Sequence, residues 1–206
     1  SLHDALPIYA MAKGVFTNSA NTGIVETAGL ITFDAHHDLR DGISNGSPVR
    51  RLIDEAGLDG KRIVQIGIAD FSNSAAYAKR AKDYGIHVIP RTALRSRSAT
   101  DVVAEALEIA GAAGGPIHVD FDVDVCDRSV VPACPAAAPG GLSADEFRAF
   151  CFEIGKAAGH ANQNSSAPQV RSVDFTEIDA SADSADGRTV RLAALGILEL
   201  AAGFML

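Results

Sequence analysis

The chain has 206 residues, a net charge of −8 and a hydrophobic fraction of 47%. That length and apolar content predict one folded domain with a substantial core and exclude a disordered chain. The acidic balance excludes nucleic acid or an anionic membrane as the main partner, since either favours a basic surface.

Cys126, Cys134 and Cys151 are odd in number and lack C-x-x-C spacing, so neither a disulfide framework nor a zinc ribbon is indicated and a reducing, cytoplasmic setting is expected. No apolar run reaches membrane-spanning length. The most hydrophobic stretch, 192–206, is interrupted by Gly196, Glu199 and Gly203, and a soluble protein is expected.

Residues 1–8 are similar to a translated sequencing-adapter read and are set aside as non-native, which leaves a single domain over 9–206. Tyr9 to Gly14 reads as the tail of a helix whose beginning is missing, and 15–28 as a connecting loop. A buried strand over 29–34 then ends in Asp34-Ala35-His36-His37-Asp38, where apolar side chains give way to ligand-type ones. If the strand conformation persists, Asp34, His36 and Asp38 share one face. Two carboxylates around an imidazole at the mouth of an apolar strand suit a divalent metal; the alternative is an acidic loop with a solvated histidine.

Asp41-Gly42 and Ser44-Asn45-Gly46-Ser47-Pro48 have the chemistry of consecutive turns. Ser47 is expected to cap a helix beginning at Pro48 and stopped by Gly57. A strand over 61–67, a helix over 74–84 terminated by Gly85, a short strand over 86–89 and a helix over 100–110 follow.

Residues 116–127 then place Asp120, Asp122 and Asp124 on one strand face and Val119, Phe121, Val123 and Val125 on the other. Like charges on one face repel unless a cation lies between them. If the two Asp-bearing strands are neighbours, Asp34, Asp38, Asp122 and Asp124 supply four negative charges that two divalent ions would balance. An exposed edge strand with one acidic face is the alternative.

A Pro/Gly-rich loop over 130–141 should wrap the site, and Ser143 and Glu146 form a capping box that opens the next helix. A polar loop over 160–167, a strand over 170–178 and a last helix over 189–204, apolar nearly all round and expected to be well buried, complete the chain. Alternating strands and helices predict a parallel sheet covered on both faces, with ligands at the carboxyl ends of its strands.

Together the motifs Asp34-Ala35-His36-His37-Asp38, Asp122-Val123-Asp124 with Asp127 and Pro139-Gly140-Gly141-Leu142-Ser143, and Asp174-Phe175-Thr176-Glu177-Ile178-Asp179 resemble the ureohydrolase family of arginase, agmatinase and formimidoylglutamase. The Asn-Gly-Ser-Pro and Ile-Gly-Ile-Ala-Asp-Phe segments look closest to formimidoylglutamase-like members. The resemblance implies a three-layer α/β/α fold with a mostly parallel sheet, here lacking the family's N-terminal strands, and two manganese ions held by Asp34, His36, Asp38, Asp122 and Asp124. Asp34 and Asp122 match the metal-bridging positions.

It further implies hydrolysis of a linear amidine, formimidoylglutamate to glutamate and formamide, by a hydroxide held between the ions. Agmatine, arginine or a guanidino acid are alternative substrates, and a catalytically silent metal-binding homologue is an alternative role. Glu177 matches the carboxylate that recognises the amidinium, and Asp127 is expected to orient the hydroxide or support the metal shell, with loop capping as its alternative. Asn45 stands where many relatives have a proton-transferring histidine and is expected to bind substrate, because an amide does not exchange a proton near neutral pH.

The family's Gly-Gly-Asp-His turn matches the set-aside N-terminal stretch, with Asp4 in the histidine's place, so one ion should be weakly held. Arg40, Arg50 or Arg91 could meet substrate carboxylates, and the family likeness suggests a homotrimer or homohexamer. His37 and His118 are expected to pack rather than ligate. Phosphoester hydrolysis, the chemistry of adjacent Asp-His-His motifs, finds no phosphate-cradling glycine-rich or basic motif here.

Overall fold

Strands that are apolar at consecutive positions have to be covered on both faces. The computed structural model describes residues 6–16, 25–164 and 168–206 and shows that arrangement. The strands Gly29–Phe33 (β1), Ile63–Ile68 (β2), His87–Pro90 (β3), Pro116–Asp122 (β4) and Gln169–Thr176 (β5) form one sheet in the order β3-β2-β1-β4-β5. Every pairing is parallel.

The helices are Leu6–Val15 (α1), Pro48–Asp54 (α2), Ala75–Tyr84 (α3), Ala99–Ala110 (α4), Ala144–Gln163 (α5) and Arg188–Phe204 (α6). Ile31, Phe33, Val64, Ile66, Val119 and Phe121 face one core with α4 and α5. Leu30 and Ile63 face the other with α1, α2 and α3. The predicted three-layer α/β/α architecture is therefore present.

Sheet order decides where a site can form. Successive strands step one way from β1 to β3 and the other way from β4 to β5, so the order reverses between β1 and β4. A crevice opens there at the carboxyl ends of the two strands. One residue below it, Phe33, Phe121 and Phe175 stand opposite one another on three adjacent strands. Phe33 stacks on Phe121 at 4.4 Å between ring centroids and 6° between planes, and Phe121 on Phe175 at 5.3 Å and 13°. This ladder sets the relative height of the loops that leave β1, β4 and β5.

Local signals place most of the helices. The Ser74 hydroxyl accepts from Tyr77 N–H at the start of α3, and Gly85 ends it with φ +77°. At α5, Ser143 and Glu146 close the reciprocal capping box. Ser47 precedes α2 but makes no cap; its hydroxyl instead donates to the Ser44 carbonyl and accepts from Ser44 N–H, which closes the preceding turn.

Other expectations need correction. α1 begins at Leu6 rather than Tyr9, so Leu6–Ile8 belong to its first turn. Residues 160–163 continue α5 instead of opening a loop, while 165–167, and with them the rest of that predicted loop, lie outside the described residues. Asp4 and 17–24 of the predicted connecting loop lie outside them as well.

α6 is not buried all round. Thr189, Leu192, Ala193, Gly196 and Gly203 are buried, yet Val190, Ile197, Leu198 and Phe204 are exposed. Packing on α5 uses glycines for close approach: a Cβ at Gly155 would stand 2.2 Å from the Leu200 carbonyl oxygen. No helix among the described residues is long and apolar enough to cross a membrane, and the three cysteines are buried and unpaired.

Candidate metal centre

β1 ends at Phe33, and Asp34 stays attached to the sheet because its N–H donates to the Ile66 carbonyl at 3.0 Å. Beyond it the chain turns. His36 N–H donates to Asp34 Oδ1 at 2.6 Å, and Asp38 adopts the left-handed conformation with φ +54°. Strand alternation therefore does not gather Asp34, His36 and Asp38; a tight turn does. On β4 the strand stops at Asp122, whose Oδ1 accepts from Asp124 N–H at 2.8 Å and starts a 3₁₀ turn over Val123–Val125. That turn, not a continued strand, aims Asp124 at β1.

The two loops meet across the switch point. Ala35 N–H donates to Asp124 Oδ1 at 2.9 Å, and His36 Nδ1–H donates to Asp124 Oδ2 at 2.7 Å, with Asp34 Oδ1 3.6 Å from the same nitrogen. Asp34, His36 and Asp124 each offer a ligand atom, and these atoms lie within 4.8 Å of one another. Asp38 and Asp122 line the same cleft, a space of about 70 Å³ shared with Arg40, Asn45, Gly46, Ala136 and Glu177. They do not join the three-atom cluster. A larger cleft of about 590 Å³ adjoins it and shares Asn45, Ala136 and Glu177.

The electrostatics of the donor set favour a cation. Burial, then the Asp124 charge, raises Asp34 from the ordinary carboxylate range to about 7. Asp38 is raised well above its usual value by burial and then by Asp34 and Asp124, and Asp122 by burial and then by Asp124 and Asp34. His36 is pushed up to about 11, chiefly by its hydrogen bond to Asp124. Carboxylates that raise one another in this way want positive charge between them. Hard oxygens with one imidazole suit manganese on ligand softness, with zinc, nickel and cobalt also able to bind.

Asp127 is not brought into the cleft. Its Oδ1 accepts from Ser129 N–H and Oγ–H at 2.9 and 2.6 Å, and its Oδ2 accepts from Gly140 N–H at 2.7 Å. This is the loop-capping alternative, and it ties the 128–141 loop into shape. Glu177, just past β5, lines the cleft in the left-handed conformation with φ +61°. Non-glycine residues hold that conformation at a cost, and they hold it where surrounding structure enforces it.

His37 turns away from the cleft. Its Nδ1–H donates to Gln65 Oε1 at 2.7 Å, Gln65 Nε2 donates to the His37 carbonyl at 2.9 Å, and His37 N–H donates to Asn73 Oδ1 at 3.0 Å. Gln65 and Asn73 thus brace the ligand turn, a role the sequence reading missed. An amide in the otherwise apolar strand Ile63–Ile68 was the signal. His118 is fully buried and hydrogen-bonded to Ser172 Oγ at 2.6 Å, with Nε2 3.3 Å from Asp174, a packing role.

Residues 9–203 match the family model described as the arginase family. The chain belongs to the arginase family. Arginase-family relatives include the formimidoylglutamase of Bacillus subtilis (strain 168), 33% identical over 210 residues that cover 98% of this chain and 62% of the relative. The formimidoylglutamase of Halalkalibacterium halodurans is 36% identical over 181 residues, covering 86% and 53%.

Among solved arginase-family structures, the Bacillus subtilis formimidoylglutamase superposes with a TM-score of 0.84 at 32% identity, covering 98% of this chain and 59% of that one. Trypanosoma cruzi formiminoglutamase with Mn²⁺ gives a TM-score of 0.74 at 27% identity, covering 86% and 57%. The chain thus spans a little over half the length of the relatives it matches.

Proposed function

We propose that this chain carries the metal-dependent hydrolytic centre of a formimidoylglutamase-type enzyme, acting on a linear amidine. The observation that supports it best is the meeting of Asp34, His36 and Asp124 across the switch point. The similarity to formimidoylglutamases, one of them solved with Mn²⁺, is in keeping with that geometry. Asp34, His36 and Asp124 would hold one manganese ion. Asp38 would hold a second and weaker one, with Asp34 and Asp122 shared between the two.

Bound manganese supplies Lewis acidity that makes water a nucleophile near neutral pH. The remaining chemistry lies in the cleft. Glu177 pairs with the planar amidinium through two parallel hydrogen bonds, which orient its carbon toward the ligand cluster. Asn45 donates or accepts a hydrogen bond at the cleft mouth without exchanging a proton. Attack on the amidine carbon gives a tetrahedral species whose collapse releases glutamate and formamide.

Incubation of the manganese-supplemented protein with formimidoylglutamate, agmatine and arginine, with formamide and urea measured separately, tests this reading. Formamide release supports it, and urea release moves the substrate within the family. Tight manganese binding with no turnover of any amidine assigns the silent metal-binding role instead. A homotrimer or homohexamer is the proposed assembly, to be read by light scattering.

A further inference from the structure

Every arginine beside Arg40 on its loop or on the helices next to it is engaged. Arg50 pairs with Asp54, Arg51 with Glu55 and Arg80 with Asp41. The last of these removes the carboxylate nearest to Arg40 in sequence. The Arg40 guanidinium makes no ion pair or side-chain hydrogen bond with the described residues, although it lines the cleft with Asp38, Asp122, Asp124 and Glu177.

Its backbone, by contrast, is fixed. Arg40 N–H donates to the Gly46 carbonyl at 2.8 Å, the Arg40 carbonyl accepts from Arg50 Nε–H at 2.7 Å, and Arg50 N–H donates to the Asp38 carbonyl at 3.2 Å. The side chain then runs over Gly46. A Cβ at that position would stand 2.6 Å from Arg40 Cδ and 2.7 Å from Nε, so a side chain at residue 46 would displace the outer end of the arginine.

We infer that Arg40 is the specificity-determining residue for the carboxylate tail of the substrate. The inference rests on the amidine-hydrolase reading and deepens it. The charges divide by chemistry. On that reading the cleft carboxylates would serve the metal and Glu177 the amidinium, which leaves Arg40 as a cation of this cleft that no described residue pairs with. Arg40 is exposed at the cleft, and a guanidinium there meets a carboxylate through a planar pair of hydrogen bonds and repels a cationic tail such as the ammonium of agmatine.

The test compares kcat/KM for N-formimidoyl-L-glutamate with that for N-formimidoyl-propylamine, which carries no carboxylate, using the full manganese-supplemented chain. Arg40→Met should lower this ratio about 10- to 100-fold, mainly through KM, and Arg40→Lys should restore part of it. Gly46→Ala should lower the ratio as well, by displacing the guanidinium. Arg95, on the neighbouring cleft beside Asp124 and without an ion pair among the described residues, serves as the comparison, and Arg95→Met should leave the ratio as it is.

Calorimetric titration with N-formyl-L-glutamate, a dianion that keeps the tail and needs no turnover, should show weaker binding to Arg40→Met by a similar factor. If the wild-type chain hydrolyses the substrate and Arg40→Met changes neither ratio nor binding, or if Arg95→Met carries the loss instead, the inference is overturned while the amidine-hydrolase reading stands. If the wild-type chain hydrolyses no amidine, that reading fails. The titration then still decides whether Arg40 holds a carboxylate.

Discussion

Replacing Asp124 by asparagine separates what the carboxylate does for the fold from what it does for a metal. Asparagine keeps the shape, and its amide oxygen can still accept from Ala35 N–H, now seen at 2.9 Å. The lost charge relieves Asp34, Asp38 and Asp122 of a like neighbour but deprives His36 of its partner at 2.7 Å. These effects oppose each other, so the metal-free variant should keep its stability to within about 1 kcal/mol.

With Mn²⁺ the two proteins part. At a free ion concentration 100 times Kd, binding stabilises the wild type by about 2.7 kcal/mol. At roughly 2–4 °C per kcal/mol for a chain of this size, the melting temperature should rise by about 5–10 °C. Asp124→Asn removes one of three converging ligands, and its rise should stay below about 2 °C. Thermal melts with and without Mn²⁺, with Mg²⁺ for comparison, read this directly. An undiminished Mn²⁺ shift in Asp124→Asn, or no shift in the wild type, would refute the assignment of these residues to a metal.

Three further outcomes follow from the same geometry. Folded-state values for Asp34, Asp38 and Asp122 are raised, with Asp34 at about 7, and His36 is raised to about 11. The folded protein therefore holds protons that the unfolded chain releases. The stability these groups contribute is present at low pH for the carboxylates and below about 6.5 for His36, and it declines as pH rises through the folded values. Melting temperatures of metal-free protein should thus fall between pH 5.5 and 8 while the Mn²⁺ shift grows, since binding displaces protons; a flat profile would count against the clustering.

Glu177→Gln should retain the Mn²⁺ shift yet lose about 30- to 100-fold in kcat/KM, as expected for removing a charge-assisted pair to the amidinium. Steady-state kinetics beside the melts distinguish this from a misfolded variant. Gly155→Ala drives a methyl into the Leu200 carbonyl and should cost about 1–3 kcal/mol in urea unfolding, or more if α6 detaches from α5.

The elements that read correctly from sequence are those whose signals are local. Ser74 with Gly85 and Ser143 with Glu146 fix helix ends through backbone groups a few residues away, and the apolar runs before Asp34 and Asp122 mark strands that prove to be neighbours. Signals that depend on remote partners failed. Whether Ser47 caps depends on how the loop before it folds, and the exposure of Ile197 and Leu198 depends on what lies against α6, which its hydropathy does not say.

The site shows the same division. Asp34, His36, Asp38, Asp122 and Asp124 were identifiable by residue type and spacing, but the strand-face argument for their convergence was mistaken. The left-handed turn at Asp38 and the 3₁₀ turn after Asp122 bring them to the cleft. Gln65 and Asn73 lie 28 and 36 residues from the His37 they brace, beyond the reach of any local pattern.

His36 and Asp124 are 88 positions apart along the chain. A nascent polypeptide that has emerged only through α4 holds two of the three clustered donors, Asp34 and His36, and none of the strand that delivers the third. If the cluster holds manganese as proposed, its capture waits until β4 inserts beside β1, the most remote pairing that β1 makes and one that pays its loop-closure entropy late. Ion uptake followed in time during refolding would report the completion of the central crossover, and no earlier event.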